Sequence, residues 1–455
     1  MVSEQLATFD WKQYPETAHY LNEQITSFYR QSPLLRKFSD DLYSKTGTRL
    51  IDWVDHLELH GSAELEETLI GLGFAKSADS KISLFQHPSA QFPGILLCSE
   101  ITERLFLIVD SVVEFLAVHQ CALSTPIDGD IGSAVRQRLV FQENDVALHV
   151  IERHGARIDA TTELRQPDLQ KLLYDTEAIR LRPRDFSDEA AGFANAETLI
   201  QAAIADLGMD RTCDLFFAAE RAYWQQRNAV ARIQKGRQDS MGLGWANHDH
   251  HTYRSSRQHF WRLISIFELM GFDLRERFYA GKEAGWGAQV LEHHSTGIVI
   301  FADVDLSPEE VSQDFAHEPL PDISELGTVG LWCRLHGEAF LQAGMHHLEC
   351  LFDFDAARDQ LATENEVKTM KPFTDLPHLK QAFTAGEIWQ VEETRIASLL
   401  EEGLISAEEA DRFRSEGAIG SHMEILQREE GFKGFNQTGI NDIILETNPL
   451  RIHQP

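Results

Sequence analysis

A weak internal repeat constrains this chain more than any other feature. In the first copy Asp55-His56 opens a strand-like run, a helical run ends at Gly73-Phe74, and a later strand-like run carries Phe85-Gln86-His87. In the second copy Asp249-His250 opens a strand, a helix ends at Gly271-Phe272, and a later strand carries Leu291-Glu292-His293. Both copies then enter an apolar β segment, ILLCSE and IVIFADVD. A unit of this kind cannot bury its apolar face alone, so its repetition points to modules packed side by side. Strands and helices in this order predict an α+β chain.

The rest of the chain fills in around the repeat. Residues 1–50 read as helix, ending at Gly47. From Leu105 to Ile158 the pattern is mostly β: LFLIVDSVVEFLAVH reads as extended, and RQRLVFQENDVALHVIERHGAR as a hairpin turning at Glu143–Asn144–Asp145. Residues 160–240 return to helix, and Gly242 and Gly244 mark a break. The acidic, Pro-bearing stretch 307–328 reads as a loop or lid, and MHHLECLFDFD as a strand. Ser406 and Glu409 have the spacing of a helix-starting capping box. We therefore expect an N-terminal α+β domain over 1–240 and a second, metal-binding catalytic domain over 241–455.

Charge narrows the partners. Lys plus Arg is 41 against 72 Asp plus Glu, a net −31. That excludes a protein that coats nucleic acid or anionic lipid, both of which need a positive face. An anionic small molecule would need a local Arg or a cation. The greasiest run, Leu105 to His119, is broken by Asp110 and Glu114, whereas a membrane span needs roughly 18 uninterrupted apolar residues. The N-terminus carries no basic segment followed by an apolar one. Cys98, Cys121, Cys213, Cys333 and Cys350 are scattered, with no CxxC pair, the usage of a reduced, cytoplasmic protein.

The residues able to do chemistry cluster in the second half. Alternate side chains of an extended strand share a face, so His250, Thr252 and Arg254 point one way. An imidazole can hold a metal, and a guanidinium makes a two-bond fork to a carboxylate. On spacing alone the same run also reads as a polar strand with Arg254 in an ordinary ion pair. A second pair, His346-His347, lies in another strand-like run; neighbours project to opposite faces, so one of the two would face a site. The third ligand would be a carboxylate: Glu387 is best placed, followed by Glu392 and Glu393, with Glu292 an earlier alternative. Two imidazoles and one carboxylate are the ligand set of non-haem Fe(II) oxygenases. The first copy has His60 where the second has Arg254, and Gln86 where the second has Glu292, so it reads as a degenerate companion. There is no GxxxxGK[ST], HExxH, GxSxG or GxGxxG motif.

The repeated unit, with a histidine on its first strand, resembles the βαβββ module of the vicinal-oxygen-chelate superfamily. Within residues 245–455 three stretches resemble a divergent branch of it, the 2-oxoadipate dioxygenase/decarboxylases (2-hydroxyglutarate synthases). They are HHTYR with a helix ending LMGF and then YAGKEAGWG; HHLECLFDFD; and the tail FKGFNQTGINDI. The resemblance implies a curved mixed sheet around a metal site, with added helices. It implies His250 and His347 as metal ligands, with His346 standing at a family Asn. It implies Glu387 as third ligand, from the likeness of Gly386-Glu387-Ile388 to a family Gly-Glu-Ile. Arg254 becomes the clamp for a substrate carboxylate, and Phe435 and Asn436 line the substrate. The implied cofactor is Fe(II), or another divalent metal. The implied reaction converts a 2-oxo dicarboxylic acid and O2 to a 2-hydroxy acid and CO2. The alternatives are another metal-dependent member of the superfamily (a lyase, isomerase or ring-cleaving dioxygenase, using His56, His250 and Glu292 across the copies) and a metal-free binding protein.

Overall fold

The computed structural model describes residues 11–77, 83–122, 126–158, 168–323 and 326–436. Two proline-started helices come first, α1 (Pro15–Gln31) and α2 (Pro33–Thr46). Pro suits the first turn because its missing N–H would be unsatisfied there anyway. Then β1 (Val54–His60), α3 (Ala63–Gly71), β2 (Ala75–Lys76), β3 (Ser83–Gln86) and β4 (Gly94–Cys98) build a βαβββ unit, with β1 parallel to β4 and β3 linking β4 to β2. A second unit, one strand shorter, follows: β5 (Glu103–Ile108), α4 (Val112–Val118), β6 (Val135–Glu143) and β7 (Val146–Arg153), with β5 parallel to β7. Antiparallel pairing of β1 with β5 joins the units into a seven-stranded sheet, ordered β2-β3-β4-β1-β5-β7-β6.

Four helices connect the halves: α5 (Leu169–Arg180), α6 (Glu189–Leu207), α7 (Met209–Gln226) and α8 (Ala229–Asp239). Gly244 then turns the chain into the second sheet at φ +71°, and a Cβ there would lie 2.1 Å from Asp110 Oδ2. That oxygen accepts from the Trp245 N–H at 2.7 Å. The third unit is β8 (His248–Arg254), α9 (Phe260–Leu269), β9 (Asp273–Tyr279), β10 (Trp286–Glu292) and β11 (Val299–Asp305). After α10 (Thr328–His336), a fourth comprises β12 (His347–Leu351), α11 (Phe354–Asn365), β13 (Thr374–Leu376), β14 (Leu379–Phe383) and, last, β16 (Ala418–Arg428). The strand β15 (Glu387–Trp389) and helices α12 (Glu393–Glu401) and α13 (Ala407–Glu416) are inserted before that closing strand. The main path of the second sheet runs β13-β14-β16-β12-β8-β11-β10-β9, with β15 paired to β16.

The α+β class and the βαβββ module expected from the sequence are both present. The repeat is deeper than it reads, however, because each half holds two units. Their helices hide inside runs that read as β. LFLIVDSVVEFLAVH is not extended throughout: the Ser111 side chain accepts from the Glu114 N–H and starts α4. FDFD does not continue a strand: Asp353 accepts from the Ala356 N–H and starts α11. A cap of this kind satisfies one of the helix's orphan N–H groups.

Two apolar cores hold the sheets. Phe28, Leu35 and Phe38 from α1 and α2 pack with Trp53, just before β1, and with Leu57 and Leu107 of the first sheet. Phe216, Phe217 and Trp224 of α7 pack with Tyr253 of the second sheet and with Phe267 of α9. Each such burial contributes roughly 1.5–3 kcal/mol. The connecting helices thus cover one face of the second sheet, and its other face is free to build a cavity. No helix among the described residues is long and apolar enough to cross a membrane.

Candidate active site

Strand register assembles the site. His250 on β8 stands opposite Glu349 on β12, and Glu349 stands beside Glu424 on β16. Two residues back, His347 on β12 stands beside His422 on β16. The motif His-x-Glu therefore occurs twice, in register, on adjacent parallel strands. Side chains from β9, β10, β11, β8, β12, β16 and β14 line one cavity: Phe278, Trp286, Asp303, Arg254, His347, Glu424 and Phe383 respectively. Seven neighbouring strands can face one space only if the sheet curls around it.

Ligand-type atoms converge at its floor. Single donor atoms of His250, His347 and Glu424, all buried, lie within 4.8 Å of one another. Two further groups share these residues: His346 with His347 and His422, and Asp249 with His250 and Glu349. The His250 and His347 rings are 6.1 Å apart, and His347 Nε2 lies 3.0 Å from Glu424 Oε2. His250 Nδ1 is engaged from behind, 3.3 Å from Asp249 Oδ2 and 3.2 Å from Glu349 Oε1. That leaves Nε2 for a cation, the usual carboxylate–histidine–metal arrangement. Asp249 is itself gripped by Arg428, through Nε and Nη2 at 2.9 Å each.

Burial sets the electrostatics. It pushes His346, His347 and His422 well below the usual imidazole range, so all three are neutral, the form that binds metal. For His250 burial is outweighed by Glu349 and by hydrogen bonds to Asp249 and Glu349, which raise it to about 10. Burial and the neighbouring Glu424 push Glu349 well up, and burial raises Glu424. Protons on His250 and Glu349 compensate charge that a dication would otherwise balance. Two buried imidazoles and a buried carboxylate fit a borderline divalent ion such as Fe(II).

Farther along the same face, Arg254 pairs in register with Asp303. Their closest approach is 3.8 Å, from Nε to Oδ2. Arg254 Nε and Nη1 and Asp303 Oδ1 have no hydrogen-bond partner among the described residues. Burial lowers Arg254 to about 10 against the pull of Asp303, and raises Asp303 to about 7 against the pull of Arg254. The pair is thus loosely coupled, with donors to spare for a ligand.

Of the residues singled out in the sequence, His250, His347, Arg254, Phe435 and Asn436 line this one cavity. The Phe435 ring lies 5.1 Å from that of His250, and Asn436 Nδ2 donates to Thr374 Oγ1 at 3.0 Å. The tail beyond Asn436 falls outside the described residues. Glu387 is not brought to the histidines. It sits on β15, and its Oε2 accepts the Ala229 N–H at the start of α8 at 2.9 Å; the carboxylate that joins them is Glu424. Nor are the other candidates near. Glu392 stands just before α12 and accepts from Gln342, Glu393 pairs with Arg414, and Glu292 is held by Lys433 and Arg275. His56 is in the first sheet, stacked on Phe106 at 4.1 Å, so the set His56, His250 and Glu292 does not assemble. His346 was expected to face away from His347, yet both line the cavity. The reason is that β12 begins at His347, and strand alternation does not govern His346.

Comparisons with known proteins give distant likenesses. No family model matches the chain, and no curated protein matches it. Among solved structures, a Ralstonia eutropha JMP134 protein assigned to the glyoxalase superfamily is 11% identical with a TM-score of 0.34, covering 58% of this chain and 97% of its own. A mutant 4-hydroxymandelate synthase from Streptomyces coelicolor is 11% identical with a TM-score of 0.28, covering 86% and 95%. Methylmalonyl-CoA epimerase from Mycobacterium tuberculosis is 11% identical with a TM-score of 0.23, covering 40% and 88%.

Proposed function

We propose that this protein is an Fe(II)-dependent dioxygenase/decarboxylase that converts a 2-oxo dicarboxylic acid of the 2-oxoadipate kind, with O2, to the 2-hydroxy acid one carbon shorter and CO2. The observation that carries the reading is the convergence of His250, His347 and Glu424, with Arg254 on the same cavity wall. A facial set of two imidazoles and one carboxylate leaves positions open for a chelating 2-oxo acid and for dioxygen. When bound, the ferrous ion would supply the redox chemistry and polarise the keto group.

The chain's own residues do the rest. Asp249 and Glu349 fix the orientation of His250. Arg254 receives the distal carboxylate, which sets the length of substrate that reaches the floor. The rings of Phe278, Phe301, Phe383 and Phe435 keep water from the reacting end. A 2-oxo diacid is strongly anionic, and the guanidinium and dication offset the −31 background locally. We assign the half preceding residue 241 to a degenerate companion role: at the position of Glu349 it has Phe106, and at that of Glu424 it has His149.

The test is oxygen uptake and CO2 release by anaerobically purified, iron-loaded protein given 2-oxoadipate or 2-oxohexanoate, which lacks the distal carboxylate. Turnover of the first and not the second supports the reading; turnover of neither removes it. The aromatic lining favours one other reading, a ring-cleaving dioxygenase for a flat substrate, and catechols in the same assay distinguish it.

A further inference from the structure

His346 and His347 meet through their Nδ1 atoms, 3.3 Å apart. One of those nitrogens therefore carries a hydrogen and the other accepts it. The far nitrogen of His347, Nε2, lies 3.0 Å from Glu424 Oε2. The far nitrogen of His346, also Nε2, is buried with no hydrogen-bond partner among the described residues. Its ring lines the cavity together with Thr252, Arg254 and His422.

Two neutral rings in such a chain have two self-consistent hydrogen patterns. With no cation, His347 Nε2 beside a carboxylate carries its hydrogen. His347 Nδ1 then accepts from His346 Nδ1–H, and His346 turns a bare lone pair to the cavity. With a cation on His347 Nε2, that nitrogen must be bare. Its hydrogen moves to Nδ1, His346 Nδ1 accepts it, and His346 Nε2–H faces the cavity. Each ring keeps one hydrogen throughout, so no proton is gained or lost.

We infer that metal binding switches His346 from acceptor to donor, making it a positioning residue that receives the anionic tail of the substrate beside Arg254 only once the cation is in place. This rests on the proposed ligand set. The neighbourhood suits an anion: Thr252 Oγ1, Arg254 Nη1 and both nitrogens of His422 are likewise buried without partners. A carboxylate, with several lone pairs, satisfies the Thr252 and Arg254 donors and the one N–H of neutral His422, whereas a bare His346 lone pair would oppose it. The coupling is reciprocal, so an anion seated there also tightens the metal.

The experiment is 15N NMR of histidine-labelled protein titrated with Zn(II), followed by binding of 2-oxoadipate and 2-oxohexanoate to the Zn(II)-loaded form. On Zn(II) addition the His346 Nε2 signal, assigned by its loss in His346→Asn, should move from the bare-nitrogen to the N–H range. His346→Phe should cut the preference for the dicarboxylate by on the order of tenfold, with Zn(II) still bound. His346→Asn, which offers an N–H whether or not metal is present, should keep the preference. Zn(II) bound with an unmoved His346 signal, or an undiminished preference in His346→Phe, overturns the inference and spares the ligand set. Failure of the wild-type protein to bind Zn(II) overturns both.

Discussion

Glu349 and Glu424 stand side by side on parallel strands, and the Gln381 amide donates to both, at 3.3 and 3.0 Å. The two carboxylates divide the labour: Glu349 faces His250 Nδ1, and Glu424 faces His347 Nε2. Of the two, only Glu424 groups with both imidazoles closely enough to share a cation with them. Glu424→Gln should weaken Co(II) or Mn(II) binding by roughly 10–100-fold or more, since the charged ligand is lost. Glu387→Gln should leave it unchanged, because Glu387 serves the start of α8. Equilibrium dialysis of both variants decides, and the opposite ranking would restore Glu387 as ligand.

Arg254 should control affinity for the tail of the substrate and not for the metal. Its Nε and Nη1 have no hydrogen-bond partner among the described residues, and Asp303 stays 3.8 Å away. Arg254→Ala should raise KM for 2-oxoadipate by an amount equivalent to about 2–4 kcal/mol, while metal content stays at the wild-type level. Unchanged kinetics would remove Arg254 from the substrate site.

The part of this site legible in sequence is the part that local rules determine. His250 and Arg254 share a strand face by alternation, and HHTYR displays that spacing. Glu424 was equally visible in principle, because His422-x-Glu424 repeats His347-x-Glu349. Its meaning depends on β16 lying parallel to β12, a pairing that spans β13 to β15 and three helices and leaves no local trace. Glu387 was favoured by a Gly-Glu-Ile likeness, while Met423-Glu424-Ile425 sits on a strand buried along nearly its whole length. Likewise two of the four units were legible, and the other two, one of them a strand shorter, were hidden by short helices whose caps, Ser111 and Asp353, lie inside apolar runs.

Asp303 gives the site a pH dependence. Burial raises its carboxyl to about 7; Arg254 and His250 favour the ionised form and Asp305 opposes it. Above about pH 7 Asp303 is an anion beside Arg254 and competes with a substrate carboxylate. Below it the acid is neutral and the competition ends. The preference for 2-oxoadipate over 2-oxohexanoate in anaerobic binding should therefore grow as pH falls from 8 to 6, by at most about tenfold per unit. Asp303→Asn should flatten the profile. A preference that instead grows with pH would show that Asp303 does not face the tail.

The two halves support their Asp-His pairs with the same device, and this allows structure and site to be tested separately. Arg153 grips Asp55 through Nε and Nη2 at 2.8 and 2.9 Å, as Arg428 grips Asp249. Each arginine lies four residues beyond the equivalent strand position, His149 beside Phe106 in one half and Glu424 beside Glu349 in the other. Burial alone would raise both aspartates, yet the guanidinium holds each well below the carboxylate range. Arg153→Met or Arg428→Met takes the guanidinium from a buried carboxylate that then keeps its neighbouring histidine as partner, and should cost about 3 kcal/mol at pH 7.5. The sign of the pH effect follows from the lowered values. The ion pair contributes fully above the ordinary aspartate value and is lost as pH falls through the folded one, while in the variants the aspartate protonates at higher pH. The deficit in urea midpoint should therefore shrink between pH 7.5 and 5. Metal retention should separate the two: Asp249 orients His250, so Arg428→Met should also weaken Co(II) binding, whereas Arg153→Met should not. Equal loss of metal in both variants would mean that the first sheet supports the centre directly and is more than a companion to it.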